Sequence, residues 1–413
     1  MESRYDYVLL GGGTSCGYAA RGIRELDKDG SLCIISADSE PPYDRPPFSK
    51  GFLKNDAMDV SDAHSNEESF YAGNKIDVLL NAEATSIDLT AKTVTLANGK
   101  QVGYGKLLYA LGSQPKRLGY QGSEHAWTLR TASDGVRIKN AATPGAKAVI
   151  VGGGYIGTEV AASLAARDAD VTIIEAEAKL GRFFPDSMSR AIQAQLESMG
   201  VTVVTGDTVE AFADGKVRTK SGKEVAADFL VEGVGVAPRA ELGKQAGLQP
   251  ARDGLKADAT LRSTDPNVWL AGDVAVYPDE TVGHEFRAEH HMHAQWTGIH
   301  AGRAMAGETT PYKKVPYFFS DIGPLSMILR GDPEAAGRVI EFGSEDGPRL
   351  TEVVLHEDGR LAKLTDLRKE WGEQEPLVDI AERLIEGNIP VEPLVEAMKS
   401  PSFDAARLSE LLT

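Results

Sequence analysis

The chain has 413 residues, 42% hydrophobic and 25% charged, a balance that excludes disordered and fibrous classes and leaves room for roughly two to four domains. Forty-four lysines and arginines against 61 aspartates and glutamates give a formal net charge of −17, a field that repels phosphate backbones and anionic lipid and so disfavours nucleic-acid and membrane-surface partners. Two cysteines, Cys16 and Cys33, are too few for a disulfide framework or a thiolate zinc site and are not spaced as a Cys-x-x-Cys pair, so redox chemistry would have to come from a bound cofactor.

In chain order, an apolar strand over 5–10 runs into Gly11-Gly-Gly13-Thr-Ser-Cys16, an Ala-rich helix and a second strand over 32–38. The same order returns as a strand ending in Val151, then Gly152-Gly-Gly-Tyr-Ile-Gly157, a helix, and a strand over 170–175 that ends on Glu175. Each copy predicts a βαβ unit, with glycines where the turn is tight and backbone N–H groups must approach a pyrophosphate at a helix N-terminus. One such motif also serves plain strand–helix packing, whereas two, each between an apolar strand and a helix, point to paired dinucleotide sites. A third landmark, Ala271-Gly-Asp273, ends a strand and places a carboxylate where it can bond a ribityl hydroxyl. A helix is expected over 288–306. From about Tyr312 the pattern changes to short strands (339–342, 350–356, 361–367) around a turn at 357–360. Helical patterns follow at 376–387, 390–399 and 402–412. Residues 314–413 hold 11 basic and 20 acidic side chains, a balance of −9. No apolar run approaches the ~18–20 residues that span a bilayer, and the early first strand leaves no room for a leader, so the expected location is cytoplasmic.

Gly11-Gly-Gly13, Pro42-Tyr-Asp-Arg-Pro-Pro-Phe-Ser-Lys50, the second glycine motif and Ala271-Gly-Asp273 together resemble the two-dinucleotide flavoprotein reductases, the FAD-dependent pyridine nucleotide oxidoreductases. Within them the chain looks most like the branch of apoptosis-inducing factor and monodehydroascorbate reductase, with bacterial ferredoxin reductases close by. Glu289-His-His-Met-His-Ala294 is similar to the first two, and Val315-Pro-Tyr-Phe-Phe-Ser-Asp-Ile-Gly-Pro324 to the start of their C-terminal domain. The resemblance implies an α/β fold of two Rossmann-like domains, with FAD bound by 1–118 and 246–313. It places NAD on an inserted domain at 119–245 and an α+β domain at 314–413 that closes over the flavin. Three positions depart from the family pattern: Cys16 replaces the third glycine, Ala37 with Asp38 beside it replaces the acid ending the second strand, and Leu111 interrupts Ala110-Leu-Gly112.

The resemblance also implies site residues. FAD would meet Gly11, Gly13, Thr14, Ser15, Asp38, Ala84, Ala110, Gly112, Gly272, Asp273, His291 and Phe319. Arg45 and Arg130 would neutralise pyrophosphate or flavin charge, with ordinary surface arginines as the plain alternative. Lys50 would lie beneath the flavin N5 edge, paired with Glu159, where a cation favours electron gain by the ring; a solvated lysine after a Pro-rich turn is the other reading. NAD would meet Gly152, Gly154, Tyr155, Ile156, Gly157, Gly235 and Glu175. Glu175 and nearby Glu177 would repel a 2′-phosphate and so favour NADH over NADPH.

Five of the eight histidines fall between His284 and His300. His290 and His293, at i and i+3, raise a metal site, but no His-Glu-x-x-His occurs, and the flavin-facing helix start is preferred. There the helix N-terminus, with His290 adding to it, would stabilise charge on the reduced ring, and Glu289 would reach the nicotinamide carboxamide; a solvated capping cluster is the bland alternative. Hydride transfer needs no general acid, only nicotinamide C4 held about 3–3.5 Å from flavin N5.

Without a cysteine relay, the acceptor is expected to be something other than a disulfide, with a ferredoxin-type protein first. Monodehydroascorbate reductases carry an arginine and a tyrosine where this chain has Gln295 and Phe319, which leaves a small-molecule reductase second. A slow redox-sensing NADH-binding flavoprotein is the alternative of another class. The expected assembly is a monomer or homodimer.

Overall fold

A computed structural model describes residues 3–369, 376–391 and 395. The first sheet has the order Ile76–Leu79, Leu32–Ile35, Ser3–Leu10, Gln101–Tyr109, Thr93–Leu96, Ala84–Asp88, with Val268–Leu270 also pairing on Gln101–Tyr109. Its parallel strands are buried on both faces (Val8, Leu9, Cys33, Ile34, Leu107 and Leu108 are all 0% exposed), which is why they read as continuous apolar runs rather than alternating ones. Helix Thr14–Leu26 covers one face together with helix His291–Met305. The two helices close to backbone contact because a Cβ on Gly298 would stand 2.5 Å from the Ser15 carbonyl oxygen and one on Gly302 2.2 Å from that of Ala19.

The second sheet is wholly parallel, in the order Thr202–Thr205, Asp170–Glu175, Lys147–Val151, Phe229–Glu232, Trp127–Thr128. Ser113–Pro115 and Val236–Pro238, the strands through which the chain leaves the first sheet and returns, pair antiparallel. A third sheet, antiparallel, runs Tyr317–Ile322, Leu325–Gly331, Leu361–Arg368, Arg349–Leu355, Arg338–Gly343. Ile322, Leu325, Met327, Leu350 and Leu367 of this sheet share a core with Val160, Ala161 and Leu164 of the second glycine helix, Tyr155–Ala165. Leu364 and Val353 pack instead with Ile380 and Leu384 of helix Pro376–Glu386.

Three expectations change at their edges. The strand expected over 32–38 ends at Ile35, because Ser36 Oγ accepts from the Asp38 N–H (3.1 Å) and the Asp38 carboxylate from those of Ser39 and Glu40, a side-chain turn that competes with the ladder. The helix expected from 288 starts at His291, with His290 an extended N-cap whose Nδ1 accepts from the His293 N–H at 3.4 Å. The patterns at 390–399 and 402–412 fall almost wholly outside the described residues. Among the described residues no helix is long and apolar enough to cross a membrane.

Candidate active site

One cavity of about 2190 Å³ runs from the first glycine turn, past Lys50, to the second glycine turn and Glu175. All the residues expected at a cofactor line it except Gly157 and Gly272. Those two act through backbone geometry instead. A Cβ on Gly157 would stand 1.9 Å from the Gly152 carbonyl oxygen, and Gly272, at φ +68, gives its N–H to Thr297 Oγ1 (3.0 Å). Gly154 differs again: a Cβ there would meet nothing within 4 Å, so its bareness keeps cavity space open for a ligand rather than relieving a contact within the protein. Gly13 would meet only the Arg45 guanidinium at the nearest approach, 2.7 Å. Cys16, at the departed third glycine, is buried with its thiol pushed up by burial and lies outside the lining, as does Cys33, pushed up to about 12. Neither thiol faces the chamber.

At the middle of the cavity Lys50 Nζ stands 2.8 Å from Glu159 Oε1. Glu159 is 3% exposed, and a bare carboxylate so placed would cost several kcal/mol. Its remaining capacity is filled by Ser320 Oγ, which donates to Oε1 (2.6 Å), and Ser49 Oγ, which donates to Oε2 (2.5 Å). Ser163 Oγ in turn holds the Ser49 carbonyl (2.7 Å). Loop, second glycine helix and C-terminal sheet therefore meet on one carboxylate. The seryl groups were not among the expected residues. Ser49 had a signal, adjacency to Lys50, while Ser320 had none, since nothing local says which face of its strand turns inward. On its other side Lys50 Nζ lies 5.3 Å from the Phe319 ring centre.

At the first-sheet end, Arg45 Nε donates to the Arg130 carbonyl (3.1 Å) and Arg130 Nη2 reaches Asp273 Oδ2 at 3.4 Å. Burial first, then the neighbouring Arg45 cation, lower Arg130 to about 10, with Asp273 opposing. Asp38 turns Oδ2 to the Tyr43 hydroxyl (2.8 Å) as well as serving its own turn. Arg287, another residue the motifs passed over, donates to the Asp273 carbonyl (3.0 Å), to Glu289 Oε1 (2.7 Å) and to Asp253 Oδ2 (2.9 Å). It fixes Glu289 at the rim. At the far end Glu175 accepts from the N–H groups of Gly153 (2.6 Å) and Glu177 (2.8 Å), so its carboxylate is oriented before any ligand arrives.

Three histidines stand at the start of helix His291–Met305. Burial, with His293 and His291 as neighbouring like charges, holds His290 well below the usual imidazole range. His291 is lowered by burial, Lys50 and Arg45 against the pull of Asp44, and His293 is lowered to about 4, chiefly by burial. Burial thus disfavours the protonated form of His290. As an extended N-cap it shares no helix face with His293, and among the described residues no group of three or more His, Cys, Asp or Glu is placed to hold a metal.

Aromatic rings close this wall. Tyr155 lies 4.1 Å from Phe318 and 4.9 Å from Phe184, and His290 lies 5.5 Å from Phe318, centre to centre. From Phe319 a file of half-buried rings continues, with Tyr317 at 6.2 Å and Trp296 at 6.3 Å beyond it, their planes inclined by 32° at each step. Arg330 lies over Tyr317 at 4.1 Å, and the exposed Lys314 over Trp296 at 5.8 Å.

Comparison with known proteins places the chain in a family. The family model described as pyridine nucleotide-disulphide oxidoreductase matches residues 5–298. Monodehydroascorbate reductase 4, peroxisomal, of Arabidopsis thaliana is 32% identical over 84% of this chain and 76% of its own. Rubredoxin-NAD(+) reductase of Pseudomonas putida is 31% identical over 78% of this chain and 85% of its own. Among solved structures, the reductase in the covalent putidaredoxin reductase–putidaredoxin complex superposes with a TM-score of 0.90 at 23% identity, covering 99% of this chain and 98% of that one. A ferredoxin reductase of Rhodopseudomonas palustris gives 0.86 at 24%, covering 98% and 99%. These two carry the fold. With the matched family model and relatives above 30% identity, the chain belongs to the pyridine nucleotide-disulphide oxidoreductases and is an FAD-dependent oxidoreductase that uses a nicotinamide nucleotide.

Proposed function

We propose that the protein moves electrons from NADH through FAD to a ferredoxin-type protein. When bound, FAD would supply the two-electron and one-electron redox chemistry. The residues present fit it, since Gly11 at φ +137 brings the turn against the Ala110 carbonyl and half-buried Arg130 offers cationic charge. Gly13, Thr14 and Ser15 at the start of the first glycine helix, with Arg45, would hold the pyrophosphate, and Asp273 the ribityl chain. Lys50 would hold positive charge at the N5 edge, and the fully bonded Glu159 would keep that cation in place. Tyr155 and Phe318 would keep water from the nicotinamide face. Glu175 and Glu177, both lining the cavity, favour NADH over NADPH.

The observation that carries the acceptor is the file Phe319–Tyr317–Trp296, which runs from the lysine edge of the cavity to a half-buried tryptophan under an exposed lysine. An amphipathic aromatic under the exposed Lys314 suits a protein surface, and that lysine sets a local cation toward an acidic carrier on a chain whose net charge is −17. A small-molecule acceptor is the second reading, favoured by the plant monodehydroascorbate reductase relatives. Two free, buried cysteines fit a reducing, cytoplasmic setting.

Steady-state NADH oxidation against an acidic [2Fe–2S] ferredoxin, a rubredoxin, ascorbate radical and ferricyanide tests the proposal. Saturable turnover with one of the protein carriers is expected. Turnover confined to the small acceptors overturns it.

A further inference from the structure

Among the described residues six large hydrophobic side chains are exposed, and three of them, Leu118, Ile156 and Phe183, line this one cavity. Phe183 is 68% exposed, more than any of the other five. It is held there by its neighbours. The Gly181 N–H donates to the Gly153 carbonyl (2.8 Å), the Phe184 N–H donates to the Gly181 carbonyl (2.7 Å), and Lys179 Nζ donates to the Phe184 carbonyl (2.7 Å). Gly181 sits at φ +55, where an added Cβ would stand 2.0 Å from the Phe184 ring. Phe184 is buried against Tyr155, so the loop spends its inward position on that residue and turns Phe183 into the open cavity. Arg182 lies against the Phe183 ring, its guanidinium carbon 4.4 Å from the centre. Glu175 and Glu177 line the same cavity, and a Cβ on Gly153 would stand 2.4 Å from Leu180 and 3.2 Å from Glu175, so this loop and Glu175 meet at one residue.

We propose that Phe183 is the platform on which the adenine ring of the nicotinamide nucleotide stacks, with Arg182 as a positioning residue behind it. This rests on the reading that Glu175 marks the adenosine end of the site. A purine presents a flat π face with no fixed charge, which is what an exposed, guanidinium-backed phenyl ring can hold. Stacking a base on an aromatic side chain is commonly worth tenfold or more in affinity. The site thus recognises the adenosine half twice, by carboxylate at the sugar and by ring at the base, and leaves the nicotinamide free to meet Tyr155 and Phe318.

Calorimetric titration of the FAD-loaded protein with ADP-ribose, which carries adenine but no nicotinamide, tests this. Phe183→Ala is expected to raise the ADP-ribose dissociation constant about tenfold, and Phe183→Trp to keep it near the wild-type value. The ratio of kcat/KM for NADH to that for reduced nicotinamide mononucleotide, which lacks adenine, should fall about tenfold in Phe183→Ala and recover in Phe183→Trp. An ADP-ribose affinity within twofold of wild type in Phe183→Ala overturns the platform. If Glu175→Ala weakens ADP-ribose while Phe183→Ala does not, the platform alone fails. If neither does, the adenosine end has been misplaced and both readings fail.

Discussion

At the scale of single residues the chemistry converges on one buried carboxylate. Glu159 takes a cation and two hydroxyls from chain segments more than a hundred residues away, Ser49 at a separation of 110 and Ser320 at 161. Lys50→Ala should slow flavin reduction by NADH at least tenfold, because it removes the cation and leaves the carboxylate with hydroxyl donors only, each effect worth about 1–3 kcal/mol. Adding Glu159→Ala should cost less than the two single losses summed, since the stranded charge is then gone. Stopped-flow reduction rates for the four proteins decide it, and strict additivity would assign the two side chains separate roles. A second prediction concerns His293. Its folded-state value of about 4 lies below the ordinary 6.5, so below pH 6.5 the unfolded chain binds a proton that the native state refuses. Stability is therefore present above pH 6.5 and lost as pH falls toward 4, by on the order of 3 kcal/mol at most. His293→Phe, which keeps a ring against Tyr277, should flatten that part of a urea-midpoint profile.

At the scale of elements, the glycines of one turn perform different tasks. In the second glycine turn, Gly152 and Gly157 let the backbone close on itself while Gly154 keeps a ligand's space open. The strand Asp170–Glu175 ends where its last carboxylate can be oriented by the N–H of Gly153. Glu175→Arg should raise efficiency with NADPH and lower it with NADH, a change in selectivity of about 5- to 150-fold, corresponding to roughly 1–3 kcal/mol. Equal use of both nucleotides by the wild type would refute the charge argument. Helix His291–Met305 starts three residues later than its composition suggests because the His290 ring accepts from the His293 N–H and makes His290 the cap.

At the scale of the whole molecule, the C-terminal sheet is tied to the rest of the chain through polar contacts around a shared apolar face. Ser187 Oγ donates to Glu341 (2.6 Å), Arg190 pairs with Glu345 (2.6 Å), and Arg252 with Glu334 (2.8 Å). Such exposed pairs contribute little to stability one by one. His284 differs in being titratable near neutrality. Its Nδ1 faces the Glu285 carbonyl (3.0 Å) and its Nε2 faces Asp332 (3.0 Å), with Glu334 near. The carbonyl bond first, then Asp332, raises its value against the opposing effect of burial. A raised base stabilises the fold fully below pH 6.5 and loses that contribution as pH climbs through the folded-state value. Thermal midpoints should therefore decline slightly above neutrality in the wild type and lose that decline in His284→Gln. An unchanged decline in the variant would place its origin elsewhere.

The local units are legible in the order of residues alone: two apolar strands each followed by a glycine turn and a helix, the carboxylate ending the strand at Glu175, and the lysine that closes the Pro-Pro-Phe-Ser segment. These are legible because a βαβ start is written within about fifteen consecutive residues, where apolar runs, helical periodicity and glycines that must escape a Cβ clash all act at short range. What only the tertiary structure decided is who stands opposite whom. Ser320 and Met327 share the inward face of the C-terminal sheet although one serves a carboxylate and the other an apolar core. Arg287 reaches Asp253, Asp273 and Glu289 at once, and burial holds His290 below the usual imidazole range. Periodicity records which face of an element is buried. It carries no information about the partner across the gap, and both the electrostatics of this site and the open ring of Phe183 are properties of that gap.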